Sequence, residues 1–267
     1  MAQPQPHAEL NSAGQQAEAA ARAGLGQHLR TYPALASSGS NVKGPATATA
    51  IFVAIAIAAF IGKQPVMGSI AGIAGVLCGI GAIVALMRDS SWQRTFRGAR
   101  LDLYSDGVVA FIEARARVVR YDSTGVFQKV VHYERTGRTS YTYTLIDTAG
   151  EKFVLQNSFV EPSAWGATIQ RAVTEAQYPR ALSALEAGER LTFGPWWIDR
   201  HGIGRNDKAH PWADIERVNG AGGVASVSIK GKLIGLGQAD VSSIMNYPLF
   251  ESLCTQLITA HAAPGQP

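Results

Sequence analysis

Hydrophobic positions change texture twice along this chain. Two uncharged apolar runs come early, at 45–62 (PATATAIFVAIAIAAFIG) and 66–87 (VMGSIAGIAGVLCGIGAIVALM), with only Lys63, Gln64 and Pro65 between them. After residue 98 the pattern turns to short segments in which apolar and polar residues alternate. Each of two similar halves then closes on a stretch with helical periodicity. A hydrocarbon core of about 30 Å needs roughly 20 helical residues, so the two runs predict a transmembrane helical hairpin over 44–88. Both flanks of such a hairpin lie on one side of the membrane. Arg88, Arg94, Arg97 and Arg100 follow the second run and Lys43 precedes the first, whereas the hairpin turn offers only Lys63. That asymmetry predicts cytoplasmic termini and a multi-pass protein of the cell membrane. A signal peptide fits poorly, because the first run begins more than 40 residues in and a second follows at once. A helix pair buried in a soluble core is the alternative.

Glycines are frequent in the second run. Gly68 and Gly72 are four apart, as are Gly75 and Gly79, a spacing that lets helices approach closely. They face either the small stripe Ala50, Ala54 and Ala58 of the first run or a second copy of the chain. A phosphate-binding loop is excluded by the absence of a Walker lysine and of a preceding soluble strand.

Residues 1–43 are rich in Gln, Ala, Ser, Gly and Pro and predict a disordered tail, with a transient helix over 9–24. Beyond the hairpin, strands are predicted at 101–104, 108–113, 117–121, 126–134, 139–146 and 152–155. In Thr139–Ile146 (TSYTYTLI), Tyr141, Tyr143 and Leu145 share one face. Glu161-Pro162 opens a helix that carries Trp165, Ile169 and Val173 on one stripe and ends near Gln177. The cycle repeats with strands at 190–193, 196–199, 203–205, 215–218, 224–229 and 233–236, then a helix over 246–260. The halves share local words. Asp106-Gly107-Val108-Val109 aligns with His201-Gly202-Ile203-Gly204, and Arg120-Tyr121-Asp122 with Pro211-Trp212-Ala213. A tandem duplication accounts for this, with modules at 98–178 and 188–260 and a frayed end at 261–267.

On these words and on the order of strands and helix, each half resembles a pleckstrin-homology-like (PH-like) barrel. The whole chain resembles bacterial membrane proteins of unknown function that carry such modules. The resemblance implies an α+β fold class with transmembrane helices: a two-helix hairpin followed by two tandem PH-like barrel-and-helix modules. It implies a bent sheet in each module plugged by the helix, with Trp165 and Phe250 as plugs. Phosphoinositide-binding PH domains carry a basic-x-Arg pair near the first hairpin, and Arg115-Ala116-Arg117 matches that half of their pattern.

Charge and candidate chemistry add little. Lys and Arg number 24 against 20 Asp and Glu, a net +4, and much of the excess sits beside the predicted spans. It therefore calls for no nucleic-acid partner. Cys78 and Cys254 are too far apart in this topology to pair. No HExxH, paired-Cys or GxSxG pattern occurs, so no catalytic residue, metal ligand or cofactor is expected, and the chain reads as a non-enzyme. Arg115, Arg117 and Lys129 are the candidate headgroup contacts, weighed against a solvated strand edge. Trp196-Trp197 must face opposite ways on a strand, one into the core and the other outward, to pack between modules or to meet a partner. The expected function is a membrane-anchored scaffold presenting tandem modules to an unknown protein partner. Anionic-lipid binding and an oligomeric transport component are the alternatives.

Overall fold

Strand pairing begins well before the alternating segments. The structure, a computed structural model, describes residues 6–35, 99–112 and 115–262. Helix α1 (Pro6–Arg22) and strand β1 (His28–Pro33) precede β2 (Arg100–Tyr104), β3 (Gly107–Ile112) and β4 (Arg115–Arg120), and the four strands form one sheet in the order β1-β2-β3-β4. A second sheet follows in the order β5 (Val126–Tyr133), β6 (Arg138–Ile146) and β7 (Lys152–Leu155), and helix α2 (Pro162–Glu186) comes after it. The same succession then recurs. Strands β8 (Leu191–Phe193), β9 (Trp196–Ile198), β10 (Gly202–Arg205) and β11 (Lys208–Pro211) form a four-stranded sheet. Strands β12 (Ile215–Asn219), β13 (Val224–Ile229) and β14 (Gln238–Asp240) form a three-stranded one, and helix α3 (Tyr247–Ala262) follows. These elements belong to one compact unit; a second, Leu35–Ala99 with Ile112–Ala114, falls almost wholly outside the described residues.

The shared words of the two halves occupy matching places. Gly107 and Gly202 each open the third strand of a four-stranded sheet. Tyr121 and Trp212 each follow the fourth strand and are buried where the chain leaves one sheet for the next. Each closing helix delivers a fully buried aromatic. Trp165 meets Tyr143 and Phe159 edge-on, and Phe250 stacks on Trp196 with ring centroids 5.8 Å apart. Such contacts contribute about 0.5–1.5 kcal/mol beyond the area they bury.

Several expectations are corrected. The tail predicted disordered over 1–43 contains α1 and β1; only its residues 6–35 are described. Apolar content in β1 is low, but Tyr32 is buried and the strand is tied to β2 by a charged cluster. Arg100 Nη2 lies 2.7 Å from Oδ2 of the fully buried Asp102, and Thr31 Oγ1 donates to Asp102 Oδ1 at 2.5 Å. Arg100, expected among the membrane-proximal cations, is therefore an internal partner of Asp102. Helix α2 does not end near Gln177 but runs through Pro179 to Glu186. Proline removes one helical hydrogen bond, yet Tyr178, Ala181, Leu182 and Leu185 pack against the core of the second half and hold the helix on course. The segment 233–236, read as a strand, is a loop, and β14 lies beyond it. Helix α3 continues to Ala262 where fraying was expected from 261.

The transmembrane fold class is corrected as well. Among the described residues no helix is long and apolar enough to cross a membrane. At 25 residues α2 has the length, but it carries Arg171, Glu175, Arg180 and Glu186 along its course. What the described residues form is three helices and four small antiparallel sheets. The predicted spans 45–62 and 66–87 lie outside the described residues, with Gly68, Gly72, Gly75, Gly79, Arg88, Arg94 and Arg97. The membrane-anchored scaffold and the multi-pass localisation rested on those spans and lose their structural basis with this correction.

Candidate functional site

Strand β5 stands at the edge of its sheet, paired on one side with β6 from Val126↔Leu145 to Tyr133↔Arg138. In an antiparallel pair, alternate residues turn both backbone groups toward the neighbour or away from it. Asn246 shows which residues turn away. Its side-chain Oδ1 accepts the Val126 N–H at 2.7 Å, and its own N–H donates to the Val126 carbonyl at 2.8 Å. One residue thus takes the place of a neighbouring strand at the first rung of the open edge. By the alternation, the outward rungs that follow belong to Gln128, Val130 and His132. Their backbone groups have no hydrogen-bond partner among the described residues.

Those rungs form one wall of a groove of about 800 Å³ between the two halves. The opposite wall comes from Gly220, Gly222, Gly223 and Val224 before and within β13, and from Asp240 at the end of β14 with Val241 and Ser242 after it. Gly222 and Gly223 have φ of 61° and 82°, a left-handed turn that places bare backbone opposite the Val130 carbonyl. Val130 (43% exposed) and Val224 (38%) offer apolar surface inside the groove, and Lys129, His132, Glu134 and Asp240 rim it. His132 is bonded to Thr139 through Nδ1 at 3.0 Å. The Gln128 Oε1 accepts from Gln170 of α2 at 2.7 Å.

A buried polar network fixes the relation of the walls. Asn246 Nδ2 donates to Gln177 Oε1 at 2.9 Å and to the Thr124 carbonyl at 3.3 Å. Gln177 Nε2 donates to the carbonyls of Tyr121 and Thr124, both at 2.8 Å. The last turns of α2, the start of β5 and the entry to α3 therefore meet at one point. Asn246 holds φ at 52°, a conformation that asparagine tolerates better than most residues.

The sequence-predicted cations are not gathered into one site. Arg117 of β4 is held by Asp147, 3.0 Å away, and by Glu151. The hydrogen bonds it donates to Glu151 and then to Asp147 push its pKa further up. Arg115 is exposed at the start of β4, and Lys129 lies on β5 in the other sheet, where it lines the groove. Trp196 is fully buried against Phe250. Trp197 turns outward beneath Arg190, whose guanidinium lies 3.6 Å from the ring centroid, and donates from Nε1 to the Asn206 carbonyl at 3.3 Å. Both tryptophans thus serve the second half itself. Sequence reasoning missed the groove entirely. The Gly220–Gly223 turn was its one local trace, and Asn246 gave no signal at a distance of 120 residues from Val126. Among the described residues no cluster of His, Cys, Asp or Glu is arranged to hold a metal ion.

A family model matches residues 1–262, and its description reads "Family of unknown function (DUF6585)". The chain belongs to that family. No curated protein and no solved structure matches it.

Proposed function

We propose that this member of the family is a non-catalytic peptide-binding protein, built of two PH-like modules, that receives an extended segment as an added strand on β5. The observation that carries the reading is the row of outward backbone rungs at Gln128, Val130 and His132 on the wall of a groove. An edge strand left open is a template for pairing, and natural proteins ordinarily cover or charge it. Here the second half leaves a groove beside it, narrowest where Gly223 faces the Val130 carbonyl at 4.0 Å from its Cβ position. The five residues from Gln128 to His132 span about 16 Å at the usual rise per residue, so the occupant is a segment of about five residues. Backbone hydrogen bonds supply affinity in this mode, and side chains at alternate positions supply selectivity. Val130 and Val224 favour aliphatic residues at those positions. The PH-like assignment is supported by the four-strand, three-strand and helix succession that occurs twice.

Proline at position 130 tests the reading. The outward N–H of Val130 takes no part in the β5–β6 ladder, and proline is tolerated on an edge strand where its missing N–H would face away. Octapeptides selected from a random displayed library on the full chain should lose binding at least about tenfold on Val130→Pro. Thermal unfolding should stay close to that of the parent. Peptides that bind the Val130→Pro protein as well as the parent would defeat the proposal.

A further inference from the structure

The same fold carries an apolar tip that matches this groove. In the loop between β13 and β14, Leu233 (106% exposed) and Ile234 (84%) project side by side, and they are far more exposed than the other large hydrophobic residues of the described chain. Lys230 and Lys232 precede them, and no acidic residue occurs between Lys230 and Ala239. The Lys232 N–H is bonded to the Ile229 carbonyl and the Leu236 N–H to the Val227 carbonyl. Between those bonds the amides of Leu233, Ile234 and Gly235 have no partner among the described residues. The tip therefore offers two aliphatic side chains, free backbone donors and positive charge. The groove offers two exposed valines, free backbone acceptors on β5, and on its rim the carboxylates of Glu134 and Asp240 against the one ammonium of Lys129, with His132 beside it.

Tip and groove lie at opposite ends of one hairpin. Val224 pairs with Asp240 at the groove end of β13 and β14, and the loop lies beyond Ile229 at the other. Six residues of strand separate them by about 20 Å, so the tip does not reach the groove of its own chain. We infer that the tip of one copy seats in the groove of a second copy, making a head-to-tail contact. Leu233 and Ile234 pack on Val130 and Val224, and Lys232 faces Glu134 and Asp240. The contact is heterologous, so it propagates into a chain of copies or closes into a ring instead of stopping at a two-fold dimer. The inference rests on the groove being a peptide-binding site and names its occupant.

Complementation of two defective variants of the full chain tests it. Leu233→Asp/Ile234→Asp disables the tip, and Val130→Arg disables the groove. Sedimentation velocity should show concentration-dependent assembly for the parent and monomer for each variant alone. A mixture of the two variants should give a one-to-one dimer, because one intact tip meets one intact groove. Should Val130→Arg fail to fold, Val224→Arg replaces it as the groove variant. An acetylated, amidated peptide of the sequence KGKLIGLG should dissociate the parent assembly. A monomeric parent at all concentrations overturns the inference, as does a mixture that stays monomeric. If library-selected peptides still bind in a Val130-dependent way, that failure leaves the groove reading standing. If they do not, both fall together.

Discussion

Replacing Asn246 probes the junction that holds the groove open. Asn246→Ala removes the acceptor of the Val126 N–H and the donor to Gln177 Oε1, and both remaining groups are buried. An orphaned buried polar group costs about 1–3 kcal/mol. The Thr124 carbonyl keeps its bond from Gln177 and adds little. Alanine must also hold φ at 52°, which adds about 1 kcal/mol. The expected loss is about 3–7 kcal/mol, a large share of the stability of an ordinary domain. Asn246→Gly leaves the same two groups unpaired but relieves the backbone, so it should cost about 1 kcal/mol less than alanine. Guanidinium denaturation of the full chain, followed by tryptophan fluorescence, measures both. Because Asn246 joins the two halves, the alanine variant should also split one transition into two, with a lower slope for each. A loss under about 1 kcal/mol, or a glycine variant no more stable than the alanine one, would refute the reasoning.

Other perturbations follow from single contacts. Trp196→Ala should destabilise by about 3–5 kcal/mol because the ring is fully buried on Phe250, whereas Trp197→Ala, which removes a partly buried ring under Arg190, should cost about 1 kcal/mol. Equal losses by denaturation would contradict the inward and outward assignment. A methyl group at Gly166 would overlap the Tyr143 ring, so Gly166→Ala should cost about 1–3 kcal/mol, and the added change Tyr143→Leu should recover part of it. Burial, then the nearby Tyr141, pushes the Tyr143 hydroxyl up to about 12 from 10.0. The folded state binds that proton more tightly, so its contribution is complete below pH 10 and is lost as pH rises toward 12, on the order of 2–3 kcal/mol. Unfolding titrations should show a shallower alkaline loss for Tyr143→Phe than for the parent.

The sequence made legible those elements whose cause is local. Alternation in TSYTYTLI predicts β6, and Pro162 with the Trp165 stripe predicts the start of α2. The repeated glycine and aromatic words fall where the two halves correspond. Elements that depend on distant partners were not legible. The polar segment HLRTYP becomes β1 only because β2, almost 70 residues later, supplies its ladder and Asp102 anchors Thr31. KAHP becomes β11 by pairing with β10, against the ordinary effect of proline. LIGL has the composition of a buried strand, yet Gly231 and Gly237, with φ of 67° and 103°, hold it in a loop that exposes Leu233 and Ile234. The apolar runs at 45–62 and 66–87 meet a length criterion for membrane spans but lie outside the described residues, among which no helix is long and apolar enough to cross a membrane. The groove was hidden for the same reason as β1. It exists because a residue at 246 caps an edge at 126, and no window of sequence contains both.

Amide hydrogen exchange along β5, read residue by residue by NMR on the full chain, tests the open edge most directly. Alternation is expected. Phe127, Lys129 and Val131 should be protected by β6, and Val126 by Asn246, while Gln128, Val130 and His132 exchange freely. Those three amides should slow on saturation with a library-selected peptide. Uniform protection along β5 in the free chain, or free exchange at the three positions that the peptide leaves unchanged, would contradict it.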